Sequence, residues 1–325
     1  MRLFCPRALS LLLPFAFAAF TSAPPARAQA SAGANASRTA TTEEVLESTR
    51  RSVRSTTEWL ARSVDSWFGD KPFKDGGTVS DGVLTLRLHH RPDEGADLSL
   101  RFNARLRLPN LEERAYLFVG RDNPRDVVTD KPGAFTRAEQ LRTTGTEERS
   151  FFAGLGLTLH DEVDFRLGLR GGLKPYAQAR FRRPWQLGPS GQLEFRQTLF
   201  WSVDDHLGST TALSYEHALS STLAARWLNA ATITQQHRKF EWSSILGSYK
   251  SFAGQRLLSL EALASGRQGA DVAVLDYGLQ AKWEQPVYRD WLFGQGLVGH
   301  FWPRPDATSP RGRAWALGAG LKMLF

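Results

Sequence analysis

From about Thr78 to Phe325 the chain alternates apolar and polar residues with a period of two, and this limits its fold more than any other feature. That period belongs to extended strands, because successive side chains point to opposite faces. In ADLSLRFNARLRL, Leu98, Leu100, Phe102, Ala104, Leu106 and Leu108 alternate with Ser99, Arg101, Asn103, Arg105 and Arg107. In VDFRLGLR, Val163, Phe165, Leu167 and Leu169 alternate with Asp164, Arg166, Gly168 and Arg170. In DYGLQAKWE, Tyr277, Leu279, Ala281 and Trp283 alternate with Gly278, Gln280, Lys282 and Glu284.

The pattern marks strands near 83–90, 97–108, 113–120, 149–160, 162–170, 173–182, 191–203, 207–217, 221–234, 239–252, 255–266, 271–285, 290–302 and 312–325. These are fourteen; merging 162–182 through Arg170-Gly171-Gly172 into one long strand points instead to twelve. A soluble β-sandwich also alternates, but three features favour a transmembrane barrel. Many of the segments run 10 to 14 residues, where soluble strands average about five or six. Trp201, Trp227, Trp242, Trp283, Trp291 and Trp315 lie near strand ends or on apolar faces, where interfacial aromatics belong. The polar faces carry arginine in rows. The expected fold is therefore all-β: an antiparallel transmembrane β-barrel of about 14 strands over residues 79–325. An even count places both barrel ends on the periplasmic side and the long 121–148 connection outside.

Ahead of the barrel the chain reads differently. Arg2 and Arg7, the apolar Ala8 to Phe20 and the small-residue site Ala26-Arg27-Ala28 make residues 1–28 a secretory signal peptide. Residues 29–42 read as a disordered linker and 70–78 as a second linker. Between them, Leu46, Val53, Leu60 and Trp67 recur every seven residues, and Thr41 with Glu44 fits a capping box. Residues 43–69 are expected to form an amphipathic periplasmic helix, with a periplasmic partner for 43–68 or a plugging role both open. The one cysteine, Cys5, leaves with the signal peptide, so disulfides and thiolate chemistry are excluded from the mature chain. Removing the signal's three arginines lowers the formal net charge from +8 to +5, too little to suggest nucleic acid.

The final segment GRAWALGAGLKMLF places Trp315, Leu317, Leu321, Met323 and Phe325 on one face of a strand. It resembles the C-terminal signature of Gram-negative outer-membrane β-barrels, and the stretch RDWLFGQGLVGHFWPRP, residues 289–305, resembles part of an uncharacterised, porin-like proteobacterial barrel family. The resemblance implies an outer-membrane location among lipid and lipopolysaccharide. It also implies that those five residues form an assembly signal read by the barrel-assembly machinery.

The candidate solute site is an inward row of arginines: Arg87, Arg101, Arg105, Arg107, Arg166, Arg170, Arg180, Arg182 and Arg196. Alternate positions on a strand lie about 6–7 Å apart, and guanidinium groups hold carboxylate and phosphate in a fork. Such a track fits a small channel or facilitator for hydrophilic, anionic solutes. The same arginines could instead pair with Asp164, Glu194, Glu216, Glu261, Asp276 and Glu284 and hold the wall of a non-conducting structural or interaction barrel. The third reading is a lipid hydrolase, with His206 and Ser209, or His217 beside Ser214 and Ser220, as its nearest approach to a catalytic pair. No nucleophile motif supports it, so no enzyme activity, catalytic residue, cofactor or metal is expected. Asp122, Asp126 and Asp130 fit no calcium-loop spacing, and with Arg121, Arg125 and Lys131 interleaved they read as an ordinary solvated loop.

Overall fold

The computed structural model describes residues 43–55, 79–92, 95–107, 114–132, 150–236 and 238–325. The expectations for residues 1–28, 29–42, 56–69 and 70–78 lie outside the described residues. The chain divides into two compact units, Met1–Glu47 and Ser48–Phe325. Of the first, the described part is 43–47, the opening of helix α1 (43–55), with Glu43 and Glu44 in its first turn.

The second unit contains fourteen strands that close into one antiparallel barrel. They are β1 (Val79–Arg91), β2 (Gly95–Arg107), β3 (Ala115–Asp122), β4 (Ser150–His160), β5 (Val163–Arg170), β6 (Lys174–Leu187) and β7 (Gly191–Ser202). Then follow β8 (His206–Ser220), β9 (Leu223–Thr234), β10 (Phe240–Phe252), β11 (Arg256–Gln268), β12 (Val274–Tyr288), β13 (Leu292–Phe301) and β14 (Ala314–Leu324). Each pairs with its sequence neighbours, and β14 closes on β1 from Val83↔Leu324 to His90↔Leu317. Beyond that register the Phe325 N–H donates to the Gly82 carbonyl at 3.0 Å, and its ring stacks on Phe102 at 5.9 Å. Closure leaves no unpaired edge, the condition for a sheet in lipid.

Fourteen strands, not twelve, result because Arg170 ends β5 and Lys174 starts β6. Gly172 (φ 72°) and Leu173 (φ 60°) turn the chain in the left-handed region, which glycine adopts without a Cβ clash. β6 runs on to Leu187, past the expected 182, because Arg182-Arg183-Pro184 interrupts the apolar period without interrupting the pairing.

The outer face exposes the expected apolar set, including Leu86, Leu98, Leu167, Leu199, Leu246, Leu279 and Leu317. Trp201, Trp227 and Trp315 also face outward and are exposed. Trp291 differs: it sits in the β12–β13 turn at 2% exposure, so it is no surface anchor.

The inner face holds two apolar clusters that simple alternation does not announce. One gathers Ala212, Leu228, Ala230, Ile245, Leu263, Leu297, Phe301 and Ala316 from β8–β11, β13 and β14. The other joins Tyr116, Phe118, Phe152, Tyr176 and Phe200 around Val128. Its rings lie against inward glycines of the next strand: Gly156 under Tyr116, Gly154 under Phe118, Gly120 under Phe152 and Gly168 under Tyr176. Glycine leaves the wall flat enough for a ring to lie on it.

Candidate functional site

The segment after β3 does not form an ordinary solvated loop. Asn123 caps a six-residue helix, α2 (Pro124–Thr129), its side chain accepting from the N–H groups of Arg125 at 2.9 Å and Asp126 at 3.4 Å, with Pro124 opening the helix. Val128 is fully buried among the aromatic rings of the inner wall. Gln178 of β6 donates to the carbonyls of Val127 (2.8 Å) and Val128 (2.7 Å), satisfying carbonyls that a helix end leaves free. Asp130 caps the helix in the left-handed region (φ 49°), which aspartate tolerates better than most residues. The reading of 121–148 as a solvated loop therefore fails for 123–131. The apolar pair Val127-Val128 is buried against the inner wall and carries its charged neighbours in with it.

Charge anchors this segment at both ends. Arg180 (β6) donates to both Asp130 carboxylate oxygens, at 3.2 and 3.3 Å, and the Thr198 hydroxyl (β7) donates at 2.9 Å. Arg166 (β5) and Arg196 (β7) stand within 3.8 and 3.9 Å of the same carboxylate, and Arg196 also donates to the Asp130 carbonyl at 3.1 Å. On the other side, Arg125 and Lys131 reach Glu241 of β10 at 3.4 and 3.5 Å. The links to β5–β7 and to β10 make α2 a bridge across the lumen.

Next to it lies a cavity of about 800 Å³. Among the described residues its wall carries eight basic side chains (Arg101, Arg105, Lys131, Arg166, Arg196, Arg226, Lys282, Lys322) and five acids (Asp122, Asp126, Asp130, Glu261, Glu284), so their excess is positive. Tyr116, Phe118, Tyr176 and Tyr249 add aromatic surface.

The predicted arginines divide by environment. Arg101, Arg105, Arg166 and Arg196 line the cavity. Arg101 pairs with Asp122 at 2.5 Å, and Arg105 lies 3.5 Å over the Tyr116 ring. Arg166 and Arg180 share Asp164 at 3.1 and 2.8 Å, and Tyr116 donates its hydroxyl to the same carboxylate at 2.7 Å. Arg87 is buried, donating to Gln295 at 2.7 Å. Arg170 is buried against Asp204 at 3.0 Å. Arg182 is largely exposed, 3.8 Å from Glu194, and Arg107 is exposed near the barrel rim that carries the chain end. Strand spacing put these arginines on the inner face, but it gave no sign of Asp130, their most connected acid.

Trp315, Leu317 and Leu321 of the predicted assembly signal are exposed outward, whereas Met323 is buried. His217 and Ser214 lie on opposite faces of β8: Ser214 faces inward and accepts from Arg226 at 3.2 Å, while His217 faces outward against the Tyr215 hydroxyl at 3.3 Å. Among the described residues no group of three His, Cys, Asp or Glu side chains is placed to hold a metal ion.

No protein-family model and no curated protein matches this sequence. Solved structures with a likeness to it include porins and outer-membrane proteins. OprB of Pseudomonas putida shares 8% identity over 78% of this chain and 95% of its own, with a TM-score of 0.47. The outer membrane channel DcaP of Acinetobacter baumannii shares 10% identity over 79% and 99%, with a TM-score of 0.46. The KdgM porin in complex with disordered oligogalacturonate shares 8% identity over 75% and 99%, with a TM-score of 0.36. At these identities and scores, nothing known of those proteins transfers to this chain.

Proposed function

We propose that this chain is an outer-membrane channel for small hydrophilic solutes, with anions favoured. The observation that carries the reading is the cavity of about 800 Å³ inside a closed barrel, whose described wall holds eight basic and five acidic side chains. A lumen of that charge concentrates anions, since low-dielectric walls focus the field of fixed charges. The outer-membrane location rests on the exposed leucine and tryptophan band, an arrangement suited to lipid and costly in water. In this reading residues 1–28 direct export. The end of β14 lies on the periplasmic side, α1 is periplasmic and open to a partner there, and lipid, lipopolysaccharide and the barrel-assembly machinery are the remaining partners. The activity is passage, not catalysis.

One observation favours a second reading, a non-conducting structural barrel: α2 bridges the lumen with Val128 fully buried. The test is conductance of the refolded chain in planar bilayers under a salt gradient, with and without residues 29–69. Steady current with a reversal potential on the anion side is expected. Replacing Arg101, Arg105 and Arg107 with serine should move that potential toward zero. Silence of both chains refutes the channel, and an unmoved potential refutes the anion preference.

A further inference from the structure

The Asp130 carboxylate sits where a ligand would. Arg166, Arg180 and Arg196 converge on it from three strands, and Thr198 adds a hydroxyl donor. Asp164 is the other acid shared by Arg166 and Arg180, so the three guanidinium groups outnumber these two carboxylates. The carboxylate belongs to a short helix rather than to the wall, and it lines the cavity together with Arg166 and Arg196. A second feature points to a ligand. Tyr176 lines the same cavity and is 2% exposed, and its buried hydroxyl, beside Gly168, has no hydrogen-bond partner among the described residues. A buried hydroxyl without a partner is costly and marks a place for an incoming acceptor.

We propose that Arg166, Arg180 and Arg196 form a binding site for a solute carboxylate, which Asp130 occupies at rest and an incoming carboxylate takes over by displacing it. The proposal rests on the anion-channel reading above and gives it a chemical class: small molecules bearing a carboxylate. The exchange is balanced, one charge-assisted set of hydrogen bonds for another, so the site binds weakly until its internal competitor leaves. The freed Asp130 turns back to water with α2, loosening the bridge.

The test uses acetate as the probe and the chain refolded in detergent micelles, read by saturation-transfer NMR on the acetate methyl. Asp130→Asn should bind acetate at least tenfold more tightly than the wild type, and adding Arg180→Gln should abolish that gain. Asp204→Asn, which removes an arginine-paired acid away from the cavity, should leave acetate binding unchanged. Equal binding by wild type and Asp130→Asn, or tight binding that survives Arg180→Gln, overturns the proposal. Should Asp130→Asn fail to refold, the wild type decides: saturating acetate should speed amide exchange at Val127, Val128 and Thr129 at least threefold, and unchanged exchange overturns the site. Neither readout needs current. A barrel that binds acetate but is silent in bilayers refutes the channel alone; one that conducts without binding acetate refutes the site alone.

Discussion

Leu167 offers the sharpest test of which solvent the outer wall meets. It lies mid-strand in β5, 66% exposed, between Leu155 and Ala177 on the neighbouring strands. Replacement by arginine puts a guanidinium on the outer face about 10–13 Å of strand from either end of β5, further than the side chain can reach. In lipid the charge must be dragged from water or thin the bilayer around it, at about 2–4 kcal/mol near the midplane. In water the same exposed substitution would cost within about 0.5 kcal/mol. The two cases differ several-fold, beyond the uncertainty of a denaturant extrapolation. The assay is urea unfolding of the chain refolded in lipid vesicles, with Leu167→Ala as the control for lost apolar area. Arginine should lower stability by at least about 2 kcal/mol more than it would at a water-facing site. A loss below about 0.5 kcal/mol, at unchanged slope, would show that the leucine band faces water or another protein, and the membrane reading would fall with it.

Other consequences follow from the inner wall. Asp164→Asn removes the charge that takes hydrogen bonds from Tyr116, Arg166 and Arg180, and should cost about 1.5–3 kcal/mol in the same unfolding assay. Gly168→Ala would place a methyl 2.7 Å from the Tyr176 ring, so it should destabilise by about 1–3 kcal/mol, and Gly168→Ala with Tyr176→Leu should recover part of that loss. In the β13–β14 connection, Thr308 and Ser309 donate to Asp306 and lower its pKa from 3.8 to about 2. A depressed carboxylate pKa stabilises above the unfolded value and is lost as pH falls through the folded one. Protease cleavage of residues 302–313 should therefore stay slow above pH 4 and quicken as pH approaches 2, and Asp306→Ala should cleave quickly throughout.

The strand count and the facing of most residues were legible in the sequence because a period of two is a local property of extended backbone. The exceptions have physical causes. Gln197, Ser209 and Thr211 are polar yet face outward, and they satisfy one another: Gln197 donates to Ser209 at 2.5 Å and accepts from Thr211 at 2.7 Å. Leu228, Ile245, Leu263 and Leu297 are apolar yet face inward, because they pack together instead of meeting water. Charges 121–131 read as loop because Val127-Val128 is too short an apolar run to announce a buried helix.

Alternation along the chain is enough to set long two-faced strands with arginine on one face, the inner face of the barrel. What those arginines meet is set by how the ring of strands closes in three dimensions. Asp130 is 50 residues from Arg180 and 68 from Thr198, and Arg91 finds Asp276 185 residues away. Alternation says which face a side chain takes. It does not say which side chains the closing of a fourteen-stranded ring will bring together across the lumen, and on that depends whether an arginine waits for a solute or already holds an acid of its own chain.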